Sequence, residues 1–268
     1  MKKLIIYGVT GAVLALIVLI VLAVLNLGTL IKTATEEFGP KVTGTDVKLG
    51  SADISFLSGS GELNDFLLGN PQGFSTPEAF SVNTIRIKVN KDSLTSDRII
   101  IEDVVILSPH ITYEKLGKTD NFKTIIANVK KAVASEEKAE KKDTAKTEGE
   151  EGKSKAIQIN HLLIKDPKVT VAGGMAKVFG DKGVDISVPD IELRDIGKEK
   201  RTTPAEAVEE ILRAMTDKVT NSVSNVAAEV GKKAQEVMKQ GTDLLKKGAE
   251  GSGDAVKGAM DSVKGIFQ

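Results

Sequence analysis

The chain has 268 residues, with 37 basic and 37 acidic side chains and no cysteine. Balanced charge gives no overall field that would attract nucleic acid, so no nucleic-acid partner is expected. Without cysteine, the chain can form no disulfide, lipid-modified cysteine or thiolate metal site. Aromatic residues make up only 4% and charged residues 28% of the chain, so a β-rich core is expected only in its middle.

The first element is an apolar run at residues 4–25, and no charged residue occurs between Lys3 and Lys32. A helix of about 20 apolar residues spans the hydrocarbon core of a bilayer, because it pairs its own backbone polar groups. We therefore predict a single transmembrane anchor at residues 1–32. A cleaved secretory signal is the alternative, but the run is longer than such signals and no Ala-x-Ala motif follows it.

Few charges flank the apolar run. Lys2, Lys3 and the amino terminus precede it, so the positive-inside tendency places the N-terminus in the cytoplasm. The bulk of the chain would then be exported, into the periplasm if the source is a Gram-negative bacterium. The predicted location is the inner (cytoplasmic) membrane, with a single pass.

Residues 42–113 predict short strands separated by Gly, Asn and Pro. Apolar and polar residues alternate clearly at 84–89, and this period of two gives a strand one apolar and one polar face. A helix is expected from about Asn121 to Ala134, with Asp120 as its cap.

Residues 135–155 contain six Lys and seven Asp or Glu, and no apolar side chain larger than Ala. Such a segment cannot bury enough surface to offset its chain entropy, so it is predicted to be a disordered linker. A charged docking tail is the alternative, which the near-zero local charge disfavours.

An internal repeat lies on either side of this linker. Residues 157–170 match residues 99–112 at an offset of 58, and the corner prolines Pro109 and Pro167 coincide. Each copy predicts a strand, a proline corner and a second strand. The linker is therefore expected to interrupt one continuous sheet.

Residues 203–268 change to a helical pattern, with Thr203 as cap and Pro204 at the first helical position. Apolar residues recur every eleven positions, which is about 3.67 residues per turn and keeps the stripe nearly straight along a helix. The predicted amphipathic face consists of Val208, Leu212, Met215, Val219, Val223, Val226, Val230 and Val237. Glycines interrupt the later part, so helicity beyond Gly241 is expected only on a lipid or protein surface.

The chain offers little to a catalytic mechanism. Its two histidines, His110 and His161, occupy different positions in the repeat copies, and neither lies at a metal-ligand spacing. We interpret each as a surface residue at a strand end. The sequence contains no Gly-x-Ser-x-Gly motif and no phosphate-binding glycine loop. It therefore predicts a protein that is not an enzyme and holds no cofactor or metal.

Residues 67–74 (LLGNPQGF), 85–89 (IRIKV), 92–94 (DSL) and 101–114 (IEDVVILSPHITYE) resemble the exported portion of AsmA-type proteins. The resemblance implies a single inner-membrane helix, an elongated antiparallel sheet curved into an apolar groove, and a role in envelope lipid homeostasis or phospholipid transport toward the outer membrane. This chain is short for such a protein, which argues against its bridging an envelope alone. Its eleven-residue repeat is instead similar to late-embryogenesis-abundant or apolipoprotein helices, which lie on membranes.

Together these features predict a mainly β fold with helices. A transmembrane helix precedes an AsmA-like domain at 42–196, in which an elongated, curved antiparallel sheet is interrupted by the linker, and an amphipathic helix follows. The first functional hypothesis is a lipid-handling module, in which an apolar groove holds the acyl chains of phospholipid by burial alone. The candidate groove residues are Ile54, Phe56, Leu63, Phe66, Leu68, Ile85, Ile87, Val89, Ile101, Ile106, Ile111, Ile159 and Ile164. An ordinary core, closed by the helix after Asp120, is the alternative for the same residues.

The second hypothesis is a structural or adaptor protein. Its sheet would serve as a rigid stalk, and its C-terminal helix would dock on a membrane or on a protein partner. An open apolar groove favours the first hypothesis, and a filled core favours the second.

Overall fold

The computed structural model of the chain describes residues 26–143, 155–174, 176 and 185–248. The predicted anchor run at 4–25 and the larger part of the predicted linker lie outside the described residues. The chain divides into two compact units, Met1–Val223 and Ser224–Gln268. The sheet lies in the first unit.

The described residues form three α-helices, ten strands and one 3-10 helix at Lys91–Thr95. The α-helices are α1 (Leu27–Thr43), α2 (Asn121–Asp143) and α3 (Pro204–Gly248). The strands are β1 (Val47–Ser55), β2 (Ser60–Gly69), β3 (Glu78–Val89), β4 (Arg98–Leu107), β5 (His110–Leu116), β6 (Thr119–Asp120), β7 (Ala156–Lys165), β8 (Lys168–Gly173), β9 (Asp185–Ser187) and β10 (Ile191–Ile196). Helix and strand are present in similar amounts, so the fold is mixed rather than mainly β.

All ten strands belong to one open, mixed sheet. Its outer pairings are antiparallel, but β4 with β7 and β5 with β8 are parallel. The prediction of an antiparallel sheet is therefore wrong at the centre. The connection between the strands explains the difference. Parallel neighbours need a crossover of a dozen or more residues, usually a helix. The segment that begins with α2 and leads to β7 provides this crossover.

The two copies of the internal repeat form these parallel pairs. Ile99 pairs with Ile157 and Ile111 pairs with Val169, so the offset of the repeat is also the register of the sheet. The predicted continuity of the sheet across the linker is confirmed. Each copy is one long strand that is interrupted only at its proline corner.

A line of irregular positions crosses the sheet from edge to edge, and we call it the crease. At the crease, the regular pairing of each strand with its neighbours is interrupted. The residues on this line are Gly50, Asp65, Asn83, Ser108, Asp166 and Pro189. Asp65, Ser108 and Asp166 have positive φ, at 53°, 46° and 50°, and Asp and Asn adopt this conformation more readily than most residues.

The crease changes the apolar spacing from two residues to three. This change is visible from Leu49 to Ala52 in β1 and from Val82 to Ile85 in β3. Neighbouring strands keep their register across the crease, because Leu49 pairs with Phe66 and Ser51 with Asn64. The irregular residue is therefore present in both strands, and the apolar side chains on both sides of the crease stay on one face. We call the half of the sheet that ends at the β1–β2 turn the tip half. The half that ends at the β2–β3 loop is the far half.

Helix α1 lies along the free edge of β1 and runs antiparallel to it. Glu36 Oε1 accepts a hydrogen bond from the Leu49 backbone N–H (3.2 Å), and Lys32 Nζ donates to the Gly50 carbonyl (3.0 Å). Edge strands expose unpaired backbone groups that promote aggregation, and covering them with a helix prevents it. The helix ends at Gly44, whose φ of 69° is the left-handed conformation common after a helix.

The helix predicted after Asp120 is confirmed. Asp120 Oδ1 accepts from the Lys123 backbone N–H (2.8 Å), which satisfies one of the free donors in the first turn. The helix continues to Asp143 rather than ending at Ala134. The first nine residues of the predicted disordered linker are therefore helical.

Helix α3 begins as predicted, with a capping box. Thr203 Oγ1 accepts from the Glu206 backbone N–H (3.3 Å), and Glu206 Oε2 accepts from the Thr203 backbone N–H (2.7 Å). The helix runs to Gly248, and residues 249–268 lie outside the described residues. Its first part, through Val223, belongs to the first unit.

Helices α2 and α3 cover the apolar face of the far half. Tyr113, on the same face as Ile111, donates its hydroxyl to Asp120 Oδ2 (3.4 Å). Burial, together with the negative charge of Asp120, raises the pKa of Tyr113. The side chains that fill this core include Phe122, Ile125, Val129, Leu212, Met215, Val219, Val169 and Val171.

A buried carboxylate holds the β2–β3 loop against the opposite face. Glu114 is only 4% exposed, and its two oxygens accept four hydrogen bonds of 2.8 to 3.1 Å from the backbone N–H groups and hydroxyls of Ser75 and Thr76. Burial alone would raise the pKa of Glu114, but these hydrogen bonds outweigh it and lower the pKa below its usual value. The loop is thus attached by charge-assisted hydrogen bonds.

The variant Glu114→Gln is expected to lower the free energy of unfolding by about 1–3 kcal/mol at neutral pH. The folded-state pKa lies below the unfolded value of 4.5, so this stabilisation is complete above that value and disappears as pH falls through the folded-state pKa. Urea unfolding of the full chain in mild detergent, at stepwise lower pH, measures it. The exposed Glu102→Gln is the control, and an equal loss in both variants would contradict the assignment.

Ser108 tests the crease, because its side chain is exposed and its φ is 46°. Ser108→Gly is expected to leave stability nearly unchanged, because glycine adopts positive φ freely. Ser108→Val is expected to cost about 1–2 kcal/mol, because a β-branched side chain clashes with the backbone there. Urea unfolding compares the two variants. Equal stability would show that the backbone conformation at the crease is not enforced.

Candidate functional site

The candidate groove residues do not share one environment. Six are buried, namely Leu68, Ile85, Ile106, Ile111, Ile159 and Ile164. Six are only half-buried, namely Ile54, Leu63, Phe66, Ile87, Val89 and Ile101. Phe56 is 49% exposed. The predicted groove is therefore partly a closed core and partly an open surface.

The closed part extends over both halves. Leu68 and Ile111 lie on the far half, whereas Ile85, Ile106, Ile159 and Ile164 lie on the tip half. Ile111 has no exposed surface, and the rings of Phe66 and Phe80 meet edge to face with centroids 6.1 Å apart. Helices α2 and α3 supply the other side of this core. For these residues the ordinary core, which was the alternative to a groove, describes the structure.

The open part lies on the tip half. We define the apolar strip as Ile54, Leu63, Ile87, Val89 and Ile101. Its members are neighbours in the sheet, because Val89 pairs with Ile101, and Gly61 of β2 lies between Ile54 and Ile87. The strip therefore extends across four strands.

Gly61 makes the strip continuous. A Cβ atom at this position would lie 2.7 Å from Ile54 Cδ1, so the Ile54 side chain occupies the space that a larger residue would need. A shallow depression of about 490 Å³ lies beside these residues, bordered also by Glu62 and Arg86. The Arg86 and Glu62 side chains are 3.7 Å apart and well exposed, so their ion pair adds little stability.

A second, mostly apolar crevice of about 700 Å³ lies between α1, α2 and the start of α3. Phe38, which is 58% exposed, forms one wall, and the Lys41 ammonium lies 4.8 Å from its ring centroid. Lys131 and Pro204 also line the crevice. This crevice could not be predicted from the sequence, because its residues come from three separate helices.

The interpretation of the histidines as surface residues at strand ends is confirmed for His110 and wrong for His161. His161 lies inside β7 and is flanked by two carboxylates, with Nδ1 2.6 Å from Asp103 Oδ1 and Nε2 3.2 Å from Glu192 Oε1. Both nitrogens are thereby engaged, so neither is free to act as a base. His110, at the start of β5, lies 3.3 Å from the Thr170 hydroxyl.

The described residues contain no group of three or more His, Asp or Glu side chains placed to hold a metal ion. The Asp103, His161 and Glu192 cluster lies on the face opposite the apolar strip, because Asp103 and His161 alternate with the inward-facing Val104 and Leu162. Its contacts join three neighbouring strands.

The predicted amphipathic face of α3 is divided between the two units. Leu212, Met215, Val219 and Val223 are buried in the first unit. Val208, at 39%, is partly exposed in that unit. In the second unit, Val226 is half-buried, whereas Val230 and Val237 are 36% and 68% exposed. The first part of the stripe thus packs against protein.

Comparison with known proteins gives no relative: no family model matches the chain, and neither curated proteins nor solved structures yield a significant match. The similarity to AsmA-type proteins stays a prediction. None of the helices in the described part of the chain has the length and apolar character needed to cross a bilayer.

The sequence analysis also missed one exposed apolar side chain. Leu57, beside Phe56 in the β1–β2 turn, is 87% exposed. The available signal was an apolar pair inside a segment rich in Ser and Gly, SFLSGSG, where turns normally carry polar residues.

Proposed function

We propose that the protein is a non-enzymatic, membrane-anchored module that binds lipid or assists its transport in a cell envelope. The observation that carries the proposal is the apolar strip, which stays half-exposed while neighbouring residues of the same face, such as Ile85 and Ile159, are buried. The anchor would lie in the inner membrane, with the bulk of the chain in the periplasm. The ligand class is phospholipid.

The position of the strip supports this function. Gly28, near the start of α1, lies against the Ala52 carbonyl of β1, and the apolar run at 4–25 ends just before this helix. If that run spans the membrane, the tip half lies nearest to the bilayer. Lipid leaving the outer surface of the bilayer would reach the strip first.

The chemistry of the strip suits an acyl chain. Each buried methylene contributes about 0.8 kcal/mol, so a chain that buries ten methylenes gains about 8 kcal/mol before the costs of ordering. No charged or catalytic group is needed for such binding. The module would recognise acyl chains with little discrimination between headgroups.

The variant Ile87→Asp tests the strip, because it places a charge among the half-exposed apolar residues. Lipid that co-purifies with the full chain in mild detergent, measured by mass spectrometry, is expected to fall at least tenfold, since burying an unpaired charge against an acyl chain costs more than about 1.4 kcal/mol. Val105→Asp is the matched control, because Val105 is also half-buried, in the adjacent strand, but faces the opposite side.

The control is expected to retain bound lipid. Equal lipid content in Ile87→Asp and the unchanged chain would exclude the strip as the binding surface. Equal loss in both variants would point to a general loss of structure, which thermal unfolding of the two proteins measures.

A second candidate function, docking by the C-terminal helix, is favoured by its exposed apolar residues. Val237 is 68% and Met238 is 41% exposed in the second unit. Exposed apolar stripes on helices mark contacts with membranes or other proteins. The protein would then act as an adaptor whose sheet is a rigid support.

A photo-crosslinker on Val237→Cys distinguishes the possible partners, since the chain has no other cysteine. In membranes of the source cell, we expect adducts with lipid if the helix lies on a bilayer and one discrete protein adduct if it docks on a partner. Gln235→Cys is the control, because it is exposed and about 200° away around the helix. Equal labelling from both positions would contradict docking through the apolar stripe.

A further inference from the structure

The β1–β2 turn presents apolar side chains where a soluble turn would carry polar ones. Leu57 is 87% and Phe56 is 49% exposed. They project from the end of the tip half, beyond the last paired residues of the hairpin, Ser55 and Ser60. We call residues 56–59 the tip.

Three of the four carbonyl groups of the tip accept hydrogen bonds from groups within the protein. The Ser55 carbonyl accepts from the Gly59 N–H (2.9 Å), and the Gly59 carbonyl accepts from the Val89 N–H (2.7 Å). The Leu57 carbonyl accepts from Lys91 Nζ (2.8 Å), and the Ser58 carbonyl from Lys88 Nζ (2.5 Å). A loop enters an apolar medium at low cost only when its backbone polar groups are satisfied internally, and the carbonyls of Leu57, Ser58 and Gly59 meet that condition.

The tip also lies at the end of the sheet where α1 begins. Along the contact between α1 and β1, Gly39 lies against Val47 and Gly28 against Ala52. From Ala52, β1 continues for three residues, about 10 Å, whereas α1 has only about 3 Å left before Asn26. The tip therefore extends past the start of α1.

The charges around the tip fit the surface of a bilayer. Lys88 and Lys91 stand directly behind the two apolar side chains, at the depth where lipid phosphates would lie if Phe56 and Leu57 entered the acyl region. Lysines close to a membrane surface contribute attraction to anionic lipid. The acidic residues of the hairpin, Asp53 and Glu62, form a cross-strand pair that lies two residues farther from the tip than the last pair, Ser55 and Ser60.

We propose that the tip is a membrane-inserting loop, in which Phe56 and Leu57 enter the leaflet beside the anchor and Lys88 and Lys91 contact lipid phosphates. This inference rests on the proposed anchoring of the chain. Together with the anchor, the tip gives the sheet a second point of attachment, so the apolar strip begins at the lipid surface. An acyl chain would then pass from the leaflet to the strip without crossing water.

The test uses the absence of native cysteine. The full chain carrying Leu57→Cys, labelled with an environment-sensitive nitrobenzoxadiazole dye, is reconstituted into vesicles of phosphatidylcholine and phosphatidylglycerol. We expect a blue-shifted emission and quenching by lipids brominated on the acyl chain. The control is Gln72→Cys, exposed in the β2–β3 loop at the other end of the sheet, whose dye should keep the emission found in water.

Each result is decisive because vesicle flotation is measured on the same samples. A chain that floats with the vesicles while the dye at position 57 behaves like the dye at position 72 overturns insertion of the tip and leaves the anchor intact. A chain that does not float overturns the anchor, and insertion with it. Loss of co-purifying lipid in Ile87→Asp bears only on the strip. A failure of lipid binding by the strip is therefore distinguished from a failure of the tip to insert. Unfolding temperatures equal to that of the unlabelled chain show that the label leaves the fold intact.

Discussion

One irregular residue per strand, placed at the same level in neighbouring strands, keeps the apolar side chains of the two halves of the sheet on the same face. Without this crease, the apolar residues of the two halves would point to opposite faces, because side chains alternate along a strand. The helices could then cover only one of the two sets. Asp65 and Ser108 accept the positive φ that the crease requires, and the packing of α2 and α3 depends on the single face that results.

The two halves created by the crease differ in what covers them. On the far half, α2 and α3 form a core, and Glu114 fixes a loop on the reverse side. On the tip half, side chains such as Ile87 and Val89 are half-exposed. Helix α1 links the halves along one edge, where Glu36 and Lys32 satisfy backbone groups that would otherwise be open to another strand. The fold thus closes most of the apolar face and leaves the apolar strip accessible.

Local signals in the sequence predicted the elements, and nonlocal pairing produced the differences. The structure reproduces the predicted helix caps at Asp120 and Thr203, which depend on residues close in sequence. It also reproduces the two copies of the repeat around Pro109 and Pro167. The parallel pairing could not be predicted from alternation, because period two is the same in parallel and antiparallel strands. The division of the groove residues depended on where α2 and α3 lie, and the packing of Leu212 and Val219 is a tertiary contact that an eleven-residue spacing does not specify. The pairing of His161 with Asp103 likewise joins strands 58 residues apart.

The parallel register of the repeat has a consequence for the growth of such a fold. Ile99 lies beside its own counterpart, Ile157, and each strand meets its copy at equivalent positions, including the corner. A unit that pairs with its own duplicate can pair with another, as in proteins built from stacked repeats. Another copy placed between β7 and β10 would widen the apolar face by one strand and preserve the crease. The width of the apolar face could therefore change by duplication of one segment, without a new core having to arise.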